Sequence, residues 1–209
     1  MNKLVQLVNE WDKFEKNNSK ATIDEFCRYY LNRKKAATQK LAGGIIPTGQ
    51  TSLLMKIIAR ITGAFSVYQK LAMAEAGLPF PDAYFYLHGL FNLGEIKKTE
   101  LINYLLAEYT TGITGIDKLI NYSLIDERPG KTDKRVKLIS LSKKGEKLLQ
   151  KCYKNAGKPG QMIFNSLSEK DIKFCINLLS AIEIKHSALA VKYKTETFDT
   201  MYLQAMNNG

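Results

Sequence analysis

The sequence predicts a mainly helical protein that carries one small sheet of two or three strands. Through most of the chain, apolar residues recur at intervals of three and four, as they do on the buried face of an α-helix. Between residues 124 and 141 the period changes to two, which predicts paired strands at 124–127 and 136–141. Residues 128–135 between them are rich in turn-forming and basic residues, so we predict a hairpin with a cationic tip.

Composition predicts a globular protein with an anionic partner. The chain has 209 residues, of which 45% are hydrophobic, and a formal net charge of +11. That apolar fraction supports a folded core and excludes wholesale disorder, while the basic excess favours an acidic partner. Nine Lys or Arg and only two acids lie between residues 128 and 151, so the charge is concentrated on the hairpin and the helix after it.

Several classes of protein are excluded by motifs that the sequence lacks. No apolar run approaches 18 residues and the N-terminus is not that of a secreted protein, so we expect a cytoplasmic protein with no membrane partner. The chain has no phosphate-binding loop, nucleophile elbow, paired cysteines or zinc-binding histidine pair. We therefore predict no enzymatic activity, no cofactor and no metal. Cys27 and Cys175 lie in apolar helical patterns and are expected in the core, with a redox-sensing thiol left open.

The order of the helices follows from their apolar stripes and capping residues. Two amphipathic helices are predicted in the first 41 residues, over 3–16 and then after Thr22, whose capping-box partner is Glu25. Helices are also expected at about 52–76, 82–92, 99–109, 111–122 and 142–153, and a last one begins at Ser168. The tail at 191–209 is expected to be either a docked short helix or a disordered end.

The two helices at 99–109 and 111–122, joined at Thr110–Thr111 and followed by the hairpin, predict a winged helix-turn-helix. A helix of this kind fits the major groove of DNA, and a cationic hairpin beside it can contact phosphates or the minor groove. The second helix is expected to bury its isoleucines and Leu119 and to present six residues outward. These six are Thr111, Gly112, Thr114, Gly115, Lys118 and Asn121.

The candidate DNA-binding residues fall into three groups according to the part of the DNA that each would contact. Thr111, Thr114, Lys118 and Asn121 would contact the major groove, Lys131, Lys134 and Arg135 would form the tip of the wing, and Lys98 and Thr99 would contact phosphates. The lysines of the next helix (Lys143, Lys144, Lys147 and Lys151) are equally well explained as a solvated face.

Four segments resemble MarR-type transcriptional regulators. They are residues 110–113, residues 124–128, the run Asp133-Lys134-Arg135, and the run Leu141-Ser142-Lys143-Lys144-Gly145. The resemblance covers about residues 52–190. It implies a homodimer in which N- and C-terminal helices of both chains intertwine and place two reading heads one DNA turn apart on a palindrome. It also implies that Arg135 enters the minor groove and that Asp133 orients it.

Three features depart from that family pattern. Residues 113–125 are one residue shorter than is usual, and Lys97-Lys98 replaces the hydroxyl residue that usually caps the first helix of the motif. About 50 residues precede the expected start. Their two aromatic stripes, Trp11 with Phe14 and Phe26 with Tyr30, predict an enlarged dimer interface, with a ligand pocket or a separate partner site as the alternatives.

The resulting hypothesis is a sequence-specific regulator that binds double-stranded DNA, at a palindromic operator, as a homodimer. The expected organisation is a helical extension at 1–41, a loop at 42–51, dimerisation and linking helices at 52–94, the DNA-binding region at 95–142, C-terminal dimerisation helices at 143–190 and a tail at 191–209. The alternative is a non-catalytic winged-helix protein-interaction module. Whether the aromatic residues of the helix at 82–92 line a pocket for a small aromatic effector or only form core is left open. These residues are Tyr84, Phe85, Tyr86, His88 and Phe91.

Overall fold

The computed structural model of the chain describes residues 2–18, 20–33, 49–130 and 133–207, without the side chains of 31–33. The chain divides into two compact units, Met1–Leu54 and Met55–Gly209. Most of the loop predicted at 42–51 lies outside the described residues, and its last two residues already belong to a helix.

The N-terminal unit contains a pair of amphipathic helices, α1 (Lys3–Asn17) and α2 (Ile23–Arg33). The predicted capping box at the start of α2 is confirmed, since the Thr22 amide donates to Glu25 Oε2 at 2.8 Å and the Glu25 amide donates to Thr22 Oγ1 at 3.3 Å. Phe26 packs edge-on against Trp11, with ring centroids 5.0 Å apart, and is buried. Much of the remaining apolar stripe is exposed, including Ile23.

The larger unit is built from helices around a three-stranded sheet. Helix α3 (Gln50–Ala74) begins in the first unit and is followed by α4 (Ala83–Leu93), β1 (Ile96–Lys97), α5 (Lys98–Tyr104), α6 (Tyr109–Asn121), β2 (Ile125–Pro129), β3 (Lys137–Leu141), α7 (Lys143–Ala156), α8 (Lys158–Phe164), α9 (Glu169–Tyr193) and α10 (Phe198–Asn207). The strands are antiparallel in the order β1-β3-β2, with Ile96 opposite Ile139 and Ile125 opposite Leu141. The predicted hairpin is therefore confirmed, and a third strand joins it.

One hydrophobic core holds the helix pair on the sheet. Leu87 and Leu90 of α4, Ile116 and Leu119 of α6, and Ile139 of β3 are all essentially inaccessible to solvent and belong to the same cluster. Because apolar residues from these three separate elements meet there, the position of α6 is fixed by tertiary packing rather than by its own sequence.

The prediction of one helix over residues 99–109 is wrong. Helix α5 ends at Tyr104, and the break lies at 105–108 rather than at Thr110–Thr111. Leu106 is 53% exposed and has a φ of +49°, a left-handed conformation that ends the helix. The apolar Leu105-Leu106 pair continues the helical period through the turn, so periodicity alone could not locate it.

Helix α9 is long and apolar but has no buried residue. By length and composition alone, α9 could cross a membrane, and no other helix of the described segments meets these two criteria. Cys175, on this helix, is exposed, and Cys27 on α2 is exposed as well, so their predicted core positions are wrong. The apolar pattern around each cysteine is real, but it forms a face that the single chain leaves uncovered.

The tail forms a helix that docks on α9, which confirms the first of its two predicted alternatives. Lys185 Nζ donates to the carbonyl oxygen of Ala205 at 2.9 Å. Phe198, Tyr202 and Leu203 of α10 are exposed. The docked tail thus presents exposed apolar side chains of its own.

Candidate DNA-binding surface

The start of α6 is set by an acidic cap. Glu108 accepts hydrogen bonds from the backbone N–H groups of Thr110 at 2.9 Å and Thr111 at 2.7 Å. These bonds satisfy two of the amides that a helix leaves unpaired at its N-terminus. They lower the pKa of Glu108 to about 2, so the cap is ionised at neutral pH. Sequence reasoning missed this residue, because glutamate is not among the residues strongly preferred at that position.

Helix α6 has one buried face and one exposed face. Gly112, Gly115, Ile116 and Leu119 are buried, at the spacing of successive helical turns. The predicted contact residues Thr111, Thr114, Lys118 and Asn121 are all exposed. The exposed face therefore offers two hydroxyls, an ammonium and an amide, groups that can hydrogen-bond to base edges or phosphates.

The prediction that Gly112 and Gly115 point outward is wrong. A Cβ on Gly112 would lie 2.6 Å from Cγ1 of Ile102 on α5, and one on Gly115 would lie 3.0 Å from the ring of Tyr86 on α4. Neither distance leaves room for a methyl group without a shift of the neighbour. The two glycines permit α6 to pack closely on α5 and α4, and so serve the core rather than the approach to a ligand.

Lys98 is held inside the motif. Its ammonium lies 2.7 Å from Asp117 Oδ1 on α6 and 2.7 Å from Glu127 Oε1 on β2, and only 18% of its side chain is exposed. Burial lowers the pKa of Lys98, but hydrogen bonds to the two carboxylates outweigh it and the pKa is raised above its ordinary value. The residue thus ties α5 to α6 and the sheet, whereas its neighbour Thr99 is exposed.

The described part of the wing tip is an ordered turn that exposes two cations. The Arg135 amide donates to Asp133 Oδ1 at 2.9 Å, and the Gly130 amide donates to the Val136 carbonyl at 2.7 Å. Asp133 therefore orders the backbone at Arg135, as an Asx turn does. Lys134 and Arg135 are exposed, and Lys131 lies outside the described residues.

The stem of the wing carries basic residues that are already paired. Arg128 forms a bidentate ion pair with Glu95, which precedes β1, and Lys137 Nζ lies 2.9 Å from Glu127 Oε2. Pairing with Lys98 and Lys137 holds the pKa of Glu127 below its ordinary value. These acids were missed by sequence reasoning, because Glu95 is 33 residues from its partner and becomes its neighbour only when the sheet forms.

The helix after the wing begins as predicted. Ser142 Oγ accepts from the Gly145 amide at 2.9 Å and donates to the Ser123 carbonyl at 2.8 Å. Gly145 itself is buried, and a Cβ there would lie 2.2 Å from the carbonyl oxygen of Leu124. The Ser-x-x-Gly spacing thus fixes α7 against the end of α6, which places the lysines of α7 beside the helix pair.

Comparison with known proteins identifies this architecture. No family model matches the chain, and no curated protein matches it. Among solved structures, a MarR variant from E. coli complexed with operator DNA is similar with a TM-score of 0.58 and 16% identity, over 62% of this chain and 92% of that one. A MarR transcriptional regulator from Methanosarcina mazei Go1 is similar with a TM-score of 0.59 and 21% identity, over 65% and 96%.

A third structure concerns BpsR of Bordetella bronchiseptica and the regulation of its DNA binding by 6-hydroxynicotinic acid. It is similar with a TM-score of 0.57 and 16% identity, over 62% of this chain and 97% of that one. In each case almost the whole of the other protein is covered, which confirms the predicted class of a mainly helical protein with a small antiparallel sheet. The chain therefore has the winged helix-turn-helix fold of MarR-type transcriptional regulators.

Proposed function

We propose that this chain is a cytoplasmic, non-catalytic transcriptional regulator that binds double-stranded DNA sequence-specifically. One observation carries the proposal: the exposed polar face of α6 lies in the same compact unit as the cationic tip of the wing, with the core on the opposite side of the helix. A helix of this width and polarity fits the major groove. The shared fold with a DNA-bound MarR structure supports the assignment.

The proposed contacts follow from which side chains are exposed. Thr111, Thr114, Lys118 and Asn121 are assigned to the major groove, and Thr99 to a phosphate. Lys131, Lys134 and Arg135 are assigned to the wing, with Asp133 ordering its turn. Lys98 is reassigned: since both of its carboxylate partners are within 2.7 Å, it positions α5 against α6 rather than meeting a phosphate directly.

We propose further that the regulator acts as a homodimer. The large apolar side chains of α9, among them Phe174, Ile176 and Ile182, are about half exposed in the single chain. Contiguous apolar surface of this kind marks an interface in a protein that stays in solution. A second copy that covers α9 would set two α6 helices on successive turns of DNA, a half-site spacing of roughly 34–36 Å.

Dimerisation is tested by the mass of the protein in solution. Light scattering coupled to gel filtration should give twice the chain mass for the wild type. Ile182→Asp places a charge on the exposed apolar face of α9 and should shift the protein towards the monomer. The control is Lys134→Asp, at an exposed residue of the wing. A monomeric wild type at micromolar concentration would contradict the dimer.

Gating by a small aromatic molecule belongs to the same proposal, and the regulation of BpsR by 6-hydroxynicotinic acid supports it. Several aromatic residues of α4 pack on one another and on Tyr153 of α7. Tyr84 stacks on His88 with centroids 5.6 Å apart, and His88 Nδ1 lies 2.9 Å from the Tyr153 hydroxyl. Tyr86 is buried in the core. An effector is therefore better sought at another cavity.

The alternative, a protein-interaction module, is favoured by one observation. The helix pair α1–α2 has an apolar groove of about 510 Å³ whose lining includes Trp11, Ile23 and Tyr30. Selecting bound sequences from a random DNA pool separates the two functions. Enrichment of a palindromic sequence supports the regulator. If the protein binds no DNA at any salt concentration, the protein-interaction module is supported instead.

A further inference from the structure

The first part of α6, together with the residue that caps it, carries acids but no cation. Residues 108–117 include Glu108 and Asp117 and contain no Lys or Arg. Asp117 is neutralised, since its Oδ1 lies 2.7 Å from the ammonium of Lys98. Glu108 is exposed and has no ion-pair partner within the described part of the chain. The one uncompensated charge on this part of the proposed DNA-binding helix is therefore negative.

The carboxylate of Glu108 is held in place before any ligand arrives. One oxygen accepts from the amide of Thr110 at 2.9 Å, and the other accepts from the amide of Thr111 at 2.7 Å. A carboxylate has about four acceptor positions, so these two bonds leave capacity for a donor from outside the protein. Because both oxygens are already fixed, such a donor meets an acceptor that has little freedom left to lose.

This carboxylate is a poor neighbour for a phosphate. The free amides at the start of a helix attract anions, but here Glu108 occupies two of them and adds a negative charge of its own. The exposed cations of the wing, Lys134 and Arg135, are better placed to meet the backbone of the DNA. The exposed start of α6 is thus suited to the edges of bases rather than to phosphates.

The chemistry of the major groove narrows the choice of base. The first residues of a recognition helix contact base edges, and an ionised carboxylate can only accept hydrogen bonds. Guanine and thymine present acceptors in the major groove, which would repel Glu108. Adenine presents an amino group beside the acceptor N7, whereas cytosine presents its N4 amino group with no acceptor of its own beside it. Cytosine is therefore the base that suits an acceptor-only side chain.

We propose that Glu108 is a specificity-determining residue, which selects a cytosine in each half-site and keeps phosphates away from the start of α6. This inference rests on the proposed function, because it concerns the same DNA-binding surface. Attraction to any duplex then comes from the cations of the wing, while the acid at the start of α6 discriminates between sequences.

The test uses a variant that removes the carboxylate but retains a helix cap. Serine is among the residues preferred at the N-cap, so Glu108→Ser loses the charge and still satisfies the start of α6. The control is Glu146→Ser, which removes an exposed acid from α7. Circular dichroism establishes that both variants are folded. Bound sequences are then selected from a random pool of duplexes with the wild type and with each variant.

The wild type and the control should enrich cytosine at one position of each half-site. Glu108→Ser should lose the preference at that position and keep the preferences elsewhere in the site. The selected duplex is then compared with one in which this cytosine is replaced by uracil opposite adenine, which exchanges the amino group for a carbonyl oxygen. The wild type should bind the cytosine duplex at least about fivefold more tightly, and Glu108→Ser should bind the two within about twofold of each other.

An unrelated duplex distinguishes base selection from a purely structural cap. Glu108→Ser should bind it as tightly as the wild type or more tightly, since the acid that is removed repels phosphates. The proposal is overturned if the variant keeps the cytosine preference, if the wild type selects a site without such a cytosine, or if the variant loses affinity for all duplexes by the same factor. In these three outcomes the wild type still selects a sequence, so the proposed function stands. A wild type that enriches no sequence refutes both.

Discussion

The two exposed cations of the wing tip should determine how strongly DNA binding depends on salt. Replacing Lys134 and Arg135 by Gln removes both charges and retains most of each side chain. Their side chains are exposed and make no ion pair within the described segments, so the change should leave the fold intact. Any loss of affinity can then be attributed to contacts with DNA.

The magnitude follows from counterion release. Each phosphate contact contributes about 0.9 to the slope of log K against log salt, so losing two contacts per chain lowers the slope by about 1.8. For a dimer with both wings on DNA, the slope of log K against log salt falls by about 3.6. At roughly 0.1 M salt this amounts to a loss of affinity on the order of 10³-fold, if the contacts contribute little at 1 M.

The assay is a fluorescence anisotropy titration of labelled duplex at several salt concentrations. Lys147→Gln/Lys151→Gln on α7 is the matched control, with the same change in charge and with both residues exposed. We expect its slope to stay within about 0.5 of the wild-type value. A slope that falls equally in both variants would show that net charge, and not the wing, drives binding. A slope unchanged in the wing variant would refute the wing assignment.

The remaining predictions concern packing and the helix cap. Gly112→Ala should destabilise the fold by about 1–3 kcal/mol in urea unfolding, because the added methyl group meets Ile102, while Gly63→Ala on α3, with nothing within 4 Å, should be neutral or stabilising by about 1 kcal/mol. Gln69→Met should raise the free energy of unfolding by roughly 1–3 kcal/mol when both proteins are measured at the same concentration. The reason is that both polar atoms of the buried Gln69 amide lack a hydrogen-bond partner among the described residues. A lower unfolding midpoint in the variant would contradict this. Glu108→Ala should destabilise the fold at neutral pH. The pKa of Glu108 is lowered to about 2, so its contribution is present above the ordinary glutamate pKa, and the difference between wild type and variant should disappear as the pH falls from about 5 to 2. A difference that is independent of pH would exclude the ionised cap.

Features encoded by nearby residues could be predicted from the sequence. The hairpin follows from a change of period and a turn-rich segment, and the caps at Thr22, Ser142 and Ser168 follow from partners three residues away. The same locality explains why Thr111, Thr114, Lys118 and Asn121 were correctly predicted to be exposed on α6, because the apolar residues of an amphipathic helix define its buried side.

What could not be predicted depends on distant neighbours. The two leucines in the turn before α6 preserve the helical period although the chain leaves the helix at Leu106. Gly112 has no side chain to mark its face, so its inward direction appears only when α5 is packed against it. Cys175 lies on an apolar stripe, and whether such a stripe is core or surface depends on what covers it.

Charge serves two separate purposes in this fold, and only the structure distinguishes them. A count along the sequence assigns most of the basic excess to the wing and the helix after it. Arg128 and Lys137 nevertheless form ion pairs with acids of the motif, and so does Lys98 at the start of α5. Lys98 ties the helix pair to the sheet, whereas Arg128 and Lys137 join parts of the sheet to one another. The acidic partners of all three cations cancel their field at a distance. The cations of the proposed DNA contacts are then those at the tip of the wing and on the exposed face of α6, which is why their position, rather than their number, supports a DNA-binding surface.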